Sequence, residues 1–241
     1  MMQWIVVTGD SGGLGSSICC KILEDGLYGV IGISRKRSNA VDILEERFDR
    51  YKHIDYDLSE TEGIRDLYKK HIKPVGVVYG LVNNSASAYD DIVTNADYTK
   101  IEHMYRVNVF SPIMLSKYAI RDMILHKVNG SLVHISSVSA HTGYKGLAMY
   151  ASTKGALEAF SQNVAREWGA KGIRSNCVAP GFMETAISSK LTAEQRNKIY
   201  QRTSLKRATD KESVAELVWF LLSKKADSIT GATFRADNGT L

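Results

Sequence analysis

The run Val77–Val82 is apolar at both alternations of a strand, so neither of its faces can be left to water. A strand of that kind needs cover on both sides, which a parallel sheet sandwiched between helices provides. The rest of the chain supplies the pieces. Short β-rich runs at Trp4–Thr8, Val30–Ser34, His53–Asp55, Val77–Asn83, Ser131–Ser136, Arg174–Ala179 and Ala232–Ala236 alternate with longer helical patterns. The helical patterns include Leu14–Asp25, Ile64–His71, Tyr98–His126, Ala151–Lys171 and Lys211–Leu222. Leu14, Ile18 and Ile22 recur one turn apart, and Leu157, Phe160, Val164 and Trp168 form a second stripe. The alternation predicts an α/β fold: a doubly wound, Rossmann-type parallel sheet of seven strands flanked by helices.

A length of 241 residues suits one such domain, and there is no internal repeat or low-complexity linker to divide it. The longest stretch without a sheet strand, Phe182–Thr209, is polar and is expected to act as a substrate lid. A formal charge of +5 suits anionic ligands but is too small to argue for nucleic acid. Cys19, Cys20 and Cys177 show no metal or disulfide spacing and read as buried free thiols. The apolar segment Trp4–Val7 runs straight into Thr8-Gly9, which leaves no room for a signal peptide. No run is long enough to span a bilayer, and a cytoplasmic protein is expected.

Between the first strand and the first helix lies Thr8-Gly9-Asp10-Ser11-Gly12-Gly13-Leu14-Gly15. Glycines let a backbone approach a pyrophosphate closely, and the helix N-terminus behind them offers free N–H groups and a positive dipole end. An ordinary glycine-rich turn would read the same in isolation; its place in the first β-α-β unit favours a dinucleotide. The second strand ends in Ser34-Arg35-Lys36-Arg37, without the carboxylate that binds a ribose 2′-hydroxyl in NAD sites. Ser34 and Arg35, with Arg37 as a further candidate, suit a 2′-phosphate, so NADP(H) is expected over NAD(H).

Tyr150 and Lys154 are four residues apart on one helical face, after a strand that ends in Ser136-Ser137. A free tyrosine, with a pKa of about 10, holds its proton too firmly to act as a base near neutrality. A neighbouring ammonium and an oxidised nicotinamide ring are expected to favour the phenolate. Ser137 can donate to a carbonyl oxygen as negative charge develops there. Alone, the pair could equally be a surface couple.

Taken in order, these motifs resemble the single-domain short-chain dehydrogenase/reductase family from Trp4 to Leu241. They are T-G-x-x-x-G-x-G at Thr8–Gly15, Asp57-Leu58, Asn83-Asn84, Asn108, Ser137, Tyr150-x-x-x-Lys154, and Pro180-Gly181 followed by Thr185. The resemblance implies a catalytic set of Asn108, Ser137, Tyr150 and Lys154, with Asn108 holding a water that relays protons to Lys154. It implies cofactor contacts from Gly9, Ser11, Gly13, Leu14, Gly15, Ser34, Arg35, Asp57, Leu58 and Asn83. Tyr150, Lys154, Pro180, Gly181, Met183 and Thr185 would complete them at the nicotinamide end. From the residues alone, Asn108 reads as a helix kink beside Pro112 and Asp57 as a helix cap next to Ser59. Two departures stand out: Ser85-Ala86 replaces the usual Ala-Gly, and Asp237-Asn238-Gly239 replaces Asp-Gly-Gly, where Asn tolerates positive φ.

The segment Asn176–Thr185 is most similar to β-ketoacyl-(acyl carrier protein) reductases of fatty acid biosynthesis. That implies reduction of a 3-oxoacyl thioester by NADPH, with Lys127 and Lys171 as docking cations for an acidic acyl carrier protein. Arg196, Lys198, Arg202, Lys206 and Arg207 add positive charge to the lid. A homotetramer is expected by the same resemblance. The alternatives are the same chemistry on a sugar, polyol or small ketone, and a protein that senses NADPH without turnover.

Overall fold

The computed structural model describes residues 2–184 and 191–240. These residues form seven strands: β1 (Gln3–Thr8), β2 (Tyr28–Ser34), β3 (Tyr51–Asp55), β4 (Val77–Asn83), β5 (Ser131–Ile135), β6 (Arg174–Pro180) and β7 (Thr233–Ala236). All pair in parallel in the order β3-β2-β1-β4-β5-β6-β7. The chain winds outward from β1 to β3, then returns to place β4 on the other side of β1. A crevice therefore opens above the carboxyl ends of β1 and β4, where ligands of doubly wound sheets bind.

The helices are α1 (Gly13–Asp25), α2 (Asn39–Arg47), α3 (Ile64–Leu67), α4 (Tyr98–Tyr105), α5 (Ser111–Leu125), α6 (Ser139–Thr142), α7 (Ala148–Trp168), α8 (Ala193–Tyr200) and α9 (Lys211–Leu222). Ile5, Val6 and Val7 are all buried, as are Leu81 and Val82, so both faces of the central strands are covered. Leu14, Ile18 and Ile22 line the buried face of α1, which packs beside α9, with Ser17 bonded to Glu212 and Lys21 paired with Glu216 across the contact; Val214, Val218 and Leu221 are buried residues of α9. Cys19 and Cys177 are buried; Cys20 is only half-buried, beside Glu24 and Arg47.

Two expected elements are broken. The pattern Ile64–His71 stays α-helical only through α3 and passes into a π turn at Tyr68–Ile72. The helical pattern Tyr98–His126 is interrupted by a wide π turn at Arg106–Phe110, between α4 and α5. Pro112 has no N–H, so the ordinary bond onto the Asn108 carbonyl cannot form, and the backbone widens there. No helix of the described residues is long and apolar enough to cross a membrane.

Candidate active site

The glycine loop is shaped by backbone contact. Gly9 adopts φ +75°, and a Cβ on Gly15 would stand 2.0 Å from the Gly9 carbonyl oxygen, so the loop folds flat against its own helix only with glycine there. Asn84 pins the loop from β4: its side-chain amide donates to the Thr8 carbonyl at 2.8 Å, and its backbone N–H donates to Thr8 Oγ1 at 2.9 Å. The Ser85 N–H donates to the same hydroxyl. Ala86 takes no left-handed conformation, so losing the family's glycine introduces no strain; Asn238 does take one, at φ 56°.

Gly12 caps α1 without offering a side-chain oxygen, and the first turn carries no acidic residue. Its N–H groups face the crevice with nothing from the chain's side chains to cap them, which fits an anionic pyrophosphate. Ser11 and Gly13 flank this turn, and Leu14 is buried behind it.

At the far end of the crevice, Ser34 Oγ donates to the Lys36 carbonyl, curling the β2 exit. Arg37 is drawn away to Asp42 and Glu45 of α2, so it is not free for a phosphate. Arg35 remains exposed and shows no ion pair within 4.0 Å among the described residues. Burial alone would raise the Asp57 carboxyl, but the Ser59 N–H, at 2.9 Å, with Arg35 and His103 nearby, holds it below the usual range. The Asp57 carboxylate thus closes a local turn onto Ser59; it does not cap a helix as read from the sequence, since the next helical turn, Thr61–Gly63, starts from Glu60 without a side-chain cap. Leu58 is buried, and its carbonyl takes the Ser111 hydroxyl.

Asn83 ends β4 and bridges to its neighbours, its amide nitrogen 3.0 Å from His134 Nδ1 and 3.4 Å from Ser116 Oγ. His134, unremarked in the sequence, is buried and neutral, its pKa lowered to about 3 by burial and then by Lys154. With Asn83 donating to Nδ1, the ring proton sits on Nε2, facing Ser175 at 3.3 Å. Also missed was Asp10, fully buried inside the glycine loop. Its Oδ2 accepts the Tyr51 hydroxyl at 2.5 Å and faces His53 Nδ1 at 2.6 Å, tying the loop to β3.

The catalytic candidates converge where β5 ends. Ser137 follows β5 in a short connection to α6, and Tyr150 and Lys154 share one face of α7. Lys154 is 2% exposed; its Nζ donates to the Ile135 carbonyl at 2.9 Å and lies 5.6 Å from the Tyr150 ring centre. Burial lowers its pKa from 10.5 to about 8. Tyr150 departs from expectation. Burial, followed by the Asp90 carboxylate, pushes its hydroxyl up to about 12, while a hydrogen bond with Ser137 works against that rise. The Lys154 ammonium, directed at Ile135, does not win the phenolate in the chain by itself.

Asn108 spends its whole amide on structure: Oδ1 accepts from the Ser87 N–H at 2.8 Å, and Nδ2 donates to the Ser87 carbonyl and to Thr153 Oγ1. Thr153 in turn donates to the Tyr150 carbonyl, so Asn108 is coupled to α7 between Tyr150 and Lys154. The kink and the contact with the site are the same feature.

Pro180 ends β6 and accepts the Val138 N–H; Gly181 donates to Ala236 at the end of β7. Met183 borders a cleft of about 520 Å³ together with Glu184, Tyr200 and residues 206–212. Thr185 lies outside the described residues. Of the segment 182–209 expected to act as a lid, residues 185–190 lie outside the described residues; its ends meet where the Thr209 N–H donates to the Phe182 carbonyl, and α8 carries a Thr192/Gln195 capping box. Lys127 and Lys171 are exposed but precede β5 and β6 respectively. They therefore stand at the amino edge of the sheet, about 17 Å or more from the catalytic edge of the same subunit, given ~3.3 Å per residue over a five-residue strand.

A family model described as enoyl-(acyl carrier protein) reductase matches residues 9–240. The chain belongs to the short-chain dehydrogenase/reductase family and is an oxidoreductase. It is 36% identical to a 3-oxoacyl-(acyl-carrier-protein) reductase FabG of Buchnera aphidicola, over 98% of this chain and 96% of that one. It is also 29% identical to an L-xylulose reductase of Caenorhabditis elegans, over 98% and 94% of the two chains. A solved structure of ElxO with NADP bound superposes with a TM-score of 0.90 at 25% identity, covering 100% of this chain and 99% of that one.

Proposed function

We propose that the chain is an NADPH-dependent reductase that converts a 3-oxoacyl thioester, carried on acyl carrier protein, into the 3-hydroxyacyl thioester. The observation that carries this reading is the convergence at the carboxyl edge of the sheet: Tyr150 hydrogen-bonded with Ser137, and the buried Lys154 ammonium 5.6 Å from the Tyr150 ring centre. Near neutrality the phenol carries its proton, which carbonyl reduction must deliver to the developing alkoxide. The similarity to 3-oxoacyl reductases supports the thioester as substrate.

The residues suit NADPH. Gly9, Ser11, Gly13, Leu14 and Gly15 would hold the diphosphate; Ser34 and Arg35 the 2′-phosphate; Asp57, Leu58 and Asn83 the adenosine side. Tyr150, Lys154, Pro180, Gly181, Met183 and Thr185 would hold the nicotinamide and its ribose. Bound NADPH supplies the hydride for the carbonyl carbon. Ser137 donates a hydrogen bond to the carbonyl oxygen as charge builds, and Tyr150 transfers its proton to that oxygen. Lys154, with Asn108 and a water, returns a proton from solvent to Tyr150. Residues 182–209 close over the substrate, and the protein assembles as a homotetramer, which light scattering tests directly.

Tyr150→Phe keeps the ring and removes the proton. It should lower kcat by at least about 100-fold, the scale of general acid catalysis, while NADPH binding stays within about twofold. Near-native turnover would remove Tyr150 from this role. Because Lys127 and Lys171 lie at the opposite edge of the sheet, they would meet the carrier only at the site of a neighbouring subunit of the tetramer; the double reversal Lys127→Glu with Lys171→Glu should then depress kcat/KM on carrier-bound substrate and spare a small thioester. The L-xylulose reductase relative supports a second reading, the same chemistry on a sugar carbonyl.

A further inference from the structure

The connection that carries Ser137 is fastened at both ends by one carboxylate. Glu158 stands on α7 one turn beyond Lys154 and two beyond Tyr150, so the three share a helix face. It is buried, and Ser136 Oγ donates to its Oε1 at 2.5 Å. His141 Nε2 lies 3.0 Å from its Oε2. Ser136 immediately precedes Ser137, and His141 follows on α6, so the carboxylate closes residues 136–141 into a ring around the serine.

The backbone of that connection is anchored to β6, by Ser136 N–H to the Val178 carbonyl at 2.7 Å and Val138 N–H to the Pro180 carbonyl at 3.1 Å. Those bonds fix the connection relative to the sheet. They do not fix it relative to α7, the helix that carries Tyr150. That second constraint comes from consecutive turns of α7: Lys154 takes the Ile135 carbonyl, and Glu158 takes the Ser136 hydroxyl. A buried carboxylate whose partners are both supplied by one six-residue segment holds that segment far more rigidly than exposed contacts would.

We propose that Glu158 is a positioning residue of the reaction: it locks residues 136–141 onto α7 so that Ser137 and Tyr150 meet the carbonyl oxygen together. The inference rests on the roles assigned above to Ser137 and Tyr150; Glu158 itself touches no reacting atom.

The test is a double-mutant cycle on the full-length enzyme, read as kcat with the 3-oxobutanoyl thioester of N-acetylcysteamine and with L-xylulose, beside the NADPH dissociation constant. Glu158→Ala should lower kcat by about 10- to 100-fold, the effect of a misplaced reacting group, with NADPH affinity within about twofold. Glu158→Gln, whose amide can still serve Ser136 and His141, should recover activity to within about threefold of wild type. In a Ser137→Ala background, Glu158→Ala should cost less than about twofold more, because both act through one group. Ser136→Ala, which leaves the carboxylate paired with His141, provides a milder arm should Glu158→Ala fold poorly, and should show the same loss of additivity. Fully multiplicative losses, or an NADPH affinity that falls in step with kcat, would overturn the proposal while leaving Ser137 and Tyr150 in place. Near-native activity of Ser137→Ala, or a wild type inactive on both substrates, would instead overturn the underlying reading and this inference with it.

Discussion

Replacing Lys154 with methionine should stabilise the ligand-free protein while abolishing its activity. The ammonium is 2% exposed, and its pKa falls from 10.5 to about 8, with burial as the cause. A lowered pKa in the folded state means that the unfolded chain binds more protons between pH 8 and 10.5, so stability rises with pH across that window. Below pH 8 the full penalty stands. At 1.36 kcal/mol per unit it amounts to about 3 kcal/mol. Methionine has similar reach and no charge, but it gives up the bond to the Ile135 carbonyl at 2.9 Å, a loss of about 1 kcal/mol. The net gain at pH 7 is then about 1–3 kcal/mol, or roughly 3–10 °C in Tm for a chain of this size. Thermal melts of wild type and Lys154→Met, followed by circular dichroism from pH 7 to 10.5, read this out. The difference should be largest at pH 7 and shrink as pH climbs past 8. A variant less stable than wild type at pH 7, or a gap independent of pH, would show that burial of this ammonium is not a penalty to the fold.

Gly15→Ala puts a methyl 2.0 Å from the Gly9 carbonyl oxygen, when real contacts keep to 3.0 Å or more, so the loop must shift by at least 1.0 Å. We expect a loss of about 1–3 kcal/mol and an NADPH dissociation constant raised at least tenfold, against a control, Gly155→Ala, that has open space and should gain about 0.5–1 kcal/mol; equal melts and equal binding for the two would refute the loop geometry. Arg35→Ala should raise KM for NADPH about tenfold and leave KM for NADH unchanged, since a charge-assisted contact of about 1.5–3 kcal/mol is lost only with the phosphate; a parallel change for both cofactors would place Arg35 elsewhere. Asp122→Ala removes the buried carboxylate that accepts the Val78 N–H at 2.9 Å and should destabilise by about 1–3 kcal/mol in urea melts; a change under about 0.5 would mean that water replaces it.

Much of the fold was legible because hydrophobic periodicity reports burial directly. All seven strands fall where the apolar runs lie, with ends moved by a residue or two: β3 begins at Tyr51 rather than His53, and β6 continues through Pro180. Three helices escaped notice. The buried face of α2 is only Val41 and Leu44, and α6 is a single turn. The third, α8, buries nothing, and its signal was the Thr192-x-x-Gln195 capping spacing rather than any apolar stripe. The break at Asn108 was visible in Pro112, but the sequence could not say that the same amide would bind Ser87 and Thr153.

At the site, ordered motifs located the catalytic candidates, but their electrostatics needed the structure. A tyrosine four residues before a lysine suggests a lowered pKa; the fold sends that ammonium to the Ile135 carbonyl and sets Asp90 near the phenol instead. Arg37 looked like Arg35 in sequence, and only α2, with Asp42 and Glu45, separates their roles. Asp10, His134 and Glu158 went unread because each has partners far away in sequence, and no local pattern announces a buried polar group that is satisfied across the fold.

The central claim is the reduction itself, and the most direct measurement is the loss of NADPH absorbance with a short 3-oxoacyl thioester. It should be run beside NADH and beside a panel of sugars and simple ketones. Turnover of the thioester should be rapid and NADPH-specific, with little from NADH and only slow reaction across the panel. Turnover of a sugar with none of the thioester would contradict the substrate, and equal rates with NADH and NADPH would contradict the cofactor.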